Sequence, residues 1–169
     1  DEWITARTGI KERRIVTNEC TCDLALEASL NALSMAEISP QEIDLIILAT
    51  TTPDKIFPAT ATMLQDRLGA SCPAFDLQAV CAGFVFALST AQQYIENGSA
   101  KNILVVGSET MSKIVDWSDR STAILFADGA GAVVLSADSL TGIKHSKLFS
   151  DGSYLSSLHV NNNGINELG

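Results

Sequence analysis

A layered α/β domain on a mainly parallel sheet is predicted by two observations. Apolar runs of strand length alternate with longer segments whose apolar residues recur every three or four positions, and turn residues separate the two kinds of segment. The runs Leu45-Ile46-Ile47-Leu48-Ala49 and Ile103-Leu104-Val105-Val106 are too short to span a membrane and have the length and make-up of buried strands.

Thr21 is placed to cap a first helix with an inner stripe of Leu24, Ala25, Ala28, Ala32, Met35 and Ala36, and Asp23 and Glu27 lie near its positive end. Ser39-Pro40-Gln41-Glu42 reads as a capping box with proline at the first helical position, opening a single turn. A buried strand over residues 44–50 follows, then a helix from Pro58 to a stop at Gly69. Residues 73–77 form the second strand and 102–108 the third, with a helix between them that ends at Asn97-Gly98. A loop over residues 109–120 carries an exposed Asp116-Trp117 pair and leads through 123–127 to a turn at Asp128-Gly129. Residues 130–137 are the fourth strand, and 144–150 are expected to pair with it as an antiparallel edge, because 138–142 is too short for a parallel crossover.

With 169 residues and 46% hydrophobic content the chain can bury one sizeable core, so one domain is expected. A net charge of −9 and the lack of any basic cluster beyond Lys11-Glu12-Arg13-Arg14 argue against a nucleic-acid surface, and no run suggests a membrane partner. Cys20, Cys22, Cys72 and Cys81 form no disulfide framework, and a reducing cytoplasm fits them best. Cys20-Thr21-Cys22 lacks the second pair or nearby histidine that would complete a metal site, so no metal is expected. The chain starts at Asp1 without methionine and stops at Gly169 without a completed unit, and so reads as a fragment.

Cys81 is the residue best placed for chemistry. It stands where the second strand gives way to a helix with apolar positions Phe84, Val85, Leu88, Ala91 and Ile95. The first N–H groups of a helix have no intrahelical partner, and their partial positive charge favours thiolate over thiol. Position alone leaves a nucleophile and a small buried hydrophobe as equal readings of this thiol.

Motif content separates them. Asp76-Leu77-Gln78-Ala79-Val80-Cys81-Ala82-Gly83-Phe84, with Asp128-Gly129-Ala130-Gly131-Ala132 downstream, resembles the nucleophile region and glycine-rich segment of the β-ketoacyl-acyl-carrier-protein synthase III family, in the thiolase superfamily. Asp1-Glu2-Trp3-Ile4, Arg7-Thr8-Gly9-Ile10-Lys11-Glu12-Arg13, Ala49-Thr50-Thr51, Phe57-Pro58-Ala59, Val106-Gly107-Ser108-Glu109, Asp119-Arg120 and Asp151-Gly152-Ser153-Tyr154 fall in that family's order at similar spacing. The resemblance implies a thiolase-like layered α/β fold with a mixed, mostly parallel sheet flanked by helices. Residues 1–169 would be its N-terminal half, truncated at both ends, with the pseudo-symmetric second half absent.

The resemblance also implies an activity. Cys81 would take an acyl group from acyl-coenzyme A as a thioester, and decarboxylation of malonyl-acyl-carrier protein would supply the carbanion that attacks it, which starts fatty-acid synthesis. Sister activities, such as quinolone or polyketide starter enzymes or a hydroxymethylglutaryl synthase, share the pattern. The donors for the enolate, a histidine and an asparagine, belong to the family's second half, so the fragment alone is expected to be inactive or to serve only in binding and dimerisation. His145 and His159 are not their counterparts and read as surface or packing residues.

Trp3, Arg7 and Arg120 match positions that contact coenzyme A, where an aromatic ring and a guanidinium sandwich the adenine and the other arginine meets phosphate. Ser121 stands where the family usually has glycine. Phe57 matches an interface residue that shapes the partner's acyl pocket in a homodimer, and Leu125 matches a pocket-lining position. Coenzyme A enters as substrate and no permanently bound cofactor is implied. The Asp-Gly-Ala-Gly segment precedes a strand instead of opening a helix, so it is no dinucleotide fingerprint; its glycines are expected to permit a tight reversal and close packing beside Cys81.

Overall fold

The computed structural model describes residues 1–140 and 142–160. Four strands form one sheet in the order β2-β1-β3-β4, where β1 is Leu45–Ala49, β2 Ala74–Leu77, β3 Asn102–Thr110 and β4 Asp128–Ser136. β1 pairs in parallel with both β2 and β3, and β4 runs antiparallel to β3. The mixed, mostly parallel sheet flanked by helices is the thiolase-like arrangement expected.

The continuous apolar runs have a direct packing cause. All five residues of β1 are buried. Ile46 and Leu48 face one core with Leu104 and Val106, beneath α2 (Thr21–Ala36) and α3 (Thr60–Leu68). Leu45, Ile47 and Ala49 face a second core with Ile103, Val105, Ala87 and Ala91, beneath α4 (Gly83–Glu96). Alternate residues of one strand thus feed opposite cores, the condition under which a strand loses its polar face.

Several expectations need correction. Residues 144–150 form no strand; apart from the hydroxyl contact of Ser146 with Ser89 at 3.1 Å little ties this segment down, and its Lys-His-Ser-Lys start offers no apolar face to bury. The antiparallel neighbour within the sheet is instead β4 itself, on β3. Asp128 and Gly129 make no reversal, since both lie inside β4, opposite Thr110 and Glu109.

The inner face of α2 is Cys22, Ala25, Ser29, Ala32 and Leu33, and Met35, assigned to that stripe, is 88% exposed. Thr21 is the first helical residue and Cys20 the cap, because the Thr21 hydroxyl is drawn inward to the Thr52 carbonyl at 2.6 Å. In α4, Gly83, Ala87 and Ala91 are the buried positions, and Val85 turns to solvent. The helix opened near Pro58 starts at Thr60 and ends at Gly69, whose φ of 69 is the left-handed stop expected of glycine. The single turn Pro40–Glu42 is present with its capping box.

One element had no apolar signature at all. α1 (Glu2–Thr8) buries only Ile4, so no stripe announces it, and it is started by the Asp1 side chain. The last short helix, α5 (Arg120–Ala123), is capped by Asp119. Among the described residues no helix is long and apolar enough to cross a membrane, and no group of His, Cys, Asp or Glu side chains is arranged to hold a metal ion.

Candidate active site

The carboxyl ends of β1 and β3 point to one side of the sheet, and β4, running the other way, begins there. The crevice outside such strand ends is the usual ligand site of an open α/β sheet. A cavity of about 1030 Å³ occupies it, with Ala49, Gly107 and Gly129 in its floor and Cys81 and Phe84 in its wall.

Cys81 lies in a single 3-10 turn, Val80–Ala82, between β2 and α4. The expected helix start is therefore met to within two residues; the first N–H of α4, that of Gly83, is donated back to the Val80 carbonyl and closes the turn that carries the thiol. Val80 has φ 49, a left-handed conformation seldom taken by a β-branched residue. That strained residue turns the chain so that the thiol emerges: Cys81 is exposed, Cys22 is buried, and Cys20 and Cys72 are intermediate. Burial pushes the thiols of Cys20, Cys22 and Cys72 above the usual range. Those three are the poorer nucleophiles.

The opposite wall is fixed by a polar network that sequence reasoning did not anticipate. Glu109, on β3, accepts from the backbone N–H of Thr51 at 2.8 Å, the N–H of Thr52 at 3.1 Å and the Thr52 hydroxyl. The Thr52 hydroxyl in turn accepts from the Thr110 N–H at 2.8 Å, and the Ser108 hydroxyl donates to the Thr21 carbonyl at 2.8 Å. Asp54 accepts from the N–H groups of Thr21 and Cys22 at 2.8 and 2.9 Å. The exit of β1, the end of β3 and the start of α2 are thus one hydrogen-bonded unit. Its signal was present in the sequence as acid and hydroxyl residues just past two apolar runs.

A second cluster lies at the chain's start. The Arg7 guanidinium carbon is 4.3 Å from the Trp3 ring centroid and that of Arg120 is 5.9 Å from it. Three residues that the resemblance grouped, spread over positions 3 to 120, therefore meet at one aromatic ring. α5 joins this cluster to the cavity, since Asp119 and Thr122 line the cavity while Arg120 reaches the tryptophan.

Phe57 is 82% exposed, so a core role is excluded for it and an apolar ring stands free on a loop. Leu125 is 53% exposed; it is neither core nor among the residues lining the Cys81 cavity, whose wall takes Phe126 instead. His145 is exposed and away from the cavity. His159, read from the sequence as a surface or packing residue, lines the cavity together with Leu158 and Val160, so the segment over 158–160 folds against the cavity that holds Cys81. The glycine segment of β4 lines the same cavity as Cys81, but a Cβ added at Gly129 or Gly131 would meet no atom within 4 Å, so the close packing expected of it is absent along with the reversal.

Residues 75–152 match the family described as 3-Oxoacyl-[acyl-carrier-protein (ACP)] synthase III. The chain is 70% identical over 169 residues to the beta-ketoacyl-[acyl-carrier-protein] synthase III of Vesicomyosocius okutanii subsp. Calyptogena okutanii, covering 100% of this chain and 54% of that protein. It is 63% identical over 163 residues to the enzyme of that name from Neisseria meningitidis serogroup A, covering 95% and 51%. The solved 3-oxoacyl-[acyl-carrier-protein] synthase III of Aquifex aeolicus superposes with a TM-score of 0.80 at 55% identity over 82% of this chain and 45% of that one. The priming β-ketosynthase of the R1128 polyketide pathway superposes with a TM-score of 0.78 at 42% identity, over 81% and 42%. The chain spans about half the length of the curated relatives it matches.

Proposed function

Because the chain belongs to the 3-oxoacyl-[acyl-carrier-protein] synthase III family, we propose that it is the N-terminal thiolase-like half, residues 1–169, of an acyltransferase that condenses acyl-coenzyme A with malonyl-acyl-carrier protein. The observation that carries the reading is one exposed thiol, Cys81, on a strained turn ahead of α4, opening into a cavity large enough for a thioester and its arm.

The steps follow from that thiol. The Cys81 sulfur attacks the acyl carbonyl carbon; a sulfur–carbon bond forms, the bond to coenzyme A sulfur breaks, and the coenzyme A thiol leaves. The malonyl unit then loses carbon dioxide, and the electron pair of the broken carbon–carbon bond makes an enolate. That carbon attacks the acyl carbon and expels the Cys81 thiolate. Donors for the enolate oxygen, a histidine and an asparagine in the family, would come from the second half of the protein.

Trp3, Arg7 and Arg120 are read as the coenzyme A contacts, since a flat ring and two guanidinium groups suit a purine and its phosphates. Phe57, bare on its loop, fits a homodimer in which it enters the partner's acyl pocket, and Leu125, exposed just past α5, is read as a contact of the coenzyme A arm. A cytoplasmic setting fits the free cysteines. A polyketide starter enzyme is the second reading, favoured by the likeness to the R1128 priming ketosynthase.

The test is made on the full-length protein. Wild type and Cys81→Ala are compared for formation of the β-ketoacyl-acyl-carrier-protein product from acetyl-coenzyme A and malonyl-acyl-carrier protein, the step that needs an acyl group on sulfur. Loss of the nucleophile is expected to lower the rate about a thousandfold or more. A Cys81→Ala protein within a few-fold of wild type would remove Cys81 from the reaction.

A further inference from the structure

Stacking is not all that arranges the residues around Trp3. Asp1 uses its two carboxylate oxygens on two different elements. Oδ1 accepts from the Trp3 backbone N–H at 3.1 Å and so starts α1, while Oδ2 accepts from Nη2 of Arg120 in α5. One side chain therefore links the helix carrying Trp3 and Arg7 to the turn carrying Arg120. On its other side that turn is held by Asp119, which accepts from the Ser121 N–H at 2.9 Å and lines the Cys81 cavity.

The two guanidinium groups are not equivalent. A flat ring stacked between two flat groups needs about 7 Å between them, twice the ~3.5 Å of carbon–carbon contact. Arg7, at 4.3 Å from the ring centroid, is already at contact distance from Trp3 and leaves no room for a further ring between them. Arg120, at 5.9 Å, stands off and needs only a small outward movement to admit a ring.

We infer that Asp1 is a positioning residue for the nucleotide end of the substrate: by anchoring Arg120 beside, but not against, the Trp3 ring, it keeps a slot for a flat heteroaromatic base. The inference rests on the reading of Trp3, Arg7 and Arg120 as cofactor-arm contacts and adds to it the residue that sets their spacing. Without the carboxylate, a long arginine side chain would have to be ordered at the moment of binding, which weakens affinity. A neutral cap would still start α1, so the role belongs to the charge and is separable from folding.

The experiment uses the full-length protein and two substrates that share a thioester, acyl-coenzyme A and acyl-pantetheine, the second lacking the nucleotide. Asp1→Asn retains the cap and removes the charge. It is expected to raise KM for acyl-coenzyme A about two- to fivefold, the range of an exposed ion pair, with kcat unchanged and acyl-pantetheine kinetics unchanged. The difference should shrink at about 0.5 M salt, where exposed charges are screened. Trp3→Ala is the control for the underlying reading and should also raise KM for acyl-coenzyme A alone. If Trp3→Ala is impaired and Asp1→Asn matches wild type, the inference is overturned and the reading stands. Equal impairment of Asp1→Asn on both substrates also overturns it, since Asp1 would then act through the fold. A Trp3→Ala protein with unchanged KM overturns the reading and the inference together.

Discussion

Val80 and Cys81 divide the work of presenting an exposed thiol, the candidate nucleophile. Val80 takes the left-handed backbone, at a cost of about 1–3 kcal/mol for a non-glycine residue, and the following thiol is thereby turned out of the protein. Val80 is itself 59% exposed, so its side chain contributes little burial to offset the strain. Val80→Gly should therefore stabilise the protein, because the strain relieved exceeds the roughly 0.5–1 kcal/mol of added chain entropy. A rise in Tm of about 2–4 °C is expected, with slower alkylation of Cys81 by a small reagent as the turn loosens. Calorimetry and timed alkylation check both; a fall in Tm would mean the turn is not strained. The place of Cys81 between a strand and a helix start was legible in the sequence, and the motif around it, more than the place itself, made it the candidate for chemistry. Its exposure was not legible, because nothing in the sequence signals φ 49 at a valine.

At the scale of elements, α2 is fastened at its first turn. Asp23 accepts from the Cys20 N–H at 2.7 Å and from Arg67 of α3 at 2.8 Å. The Cys20 backbone bond is the leading cause that holds its carboxyl at about 2, with the Cys20 side chain and Arg67 adding to it. A carboxyl depressed in the folded state stabilises the protein above its unfolded pKa, near 3.8, and that stability is lost as pH falls toward 2. Asp23 is partly exposed, so solvent screening limits the contribution to about 1 kcal/mol. Asp23→Asn is expected to lower the urea midpoint at pH 7 by an amount that narrows steadily between pH 4 and pH 2. An offset from wild type that stays constant over that range would refute the linkage. β1 and β3 were legible because a strand buried on both faces is apolar throughout. α1 was not, since a helix that buries only Ile4 has no stripe, and the supposed edge strand over 144–150 arose from chain length alone, with no apolar alternation behind it.

Over the whole molecule, two clusters lie on one path. The Trp3 face at one end and the Cys81 cavity at the other are joined by α5, as a long thioester with a nucleotide at its far end would require. The grouping of Trp3, Arg7 and Arg120 followed from motif order and is met in space. The Glu109 network and the fold of residues 158–160 against the cavity depend on contacts between distant segments, which local pattern does not encode. The central claim is that this path ends at one reactive sulfur. Its most direct test is to incubate the full-length protein with a short acyl-coenzyme A, without malonyl-acyl-carrier protein, and to map the acylated peptide by mass spectrometry. The account expects a single acyl group on Cys81, with Cys20, Cys22 and Cys72 unmodified because burial disfavours their thiolates. An acyl group on any of those three, with Cys81 left free, would contradict it.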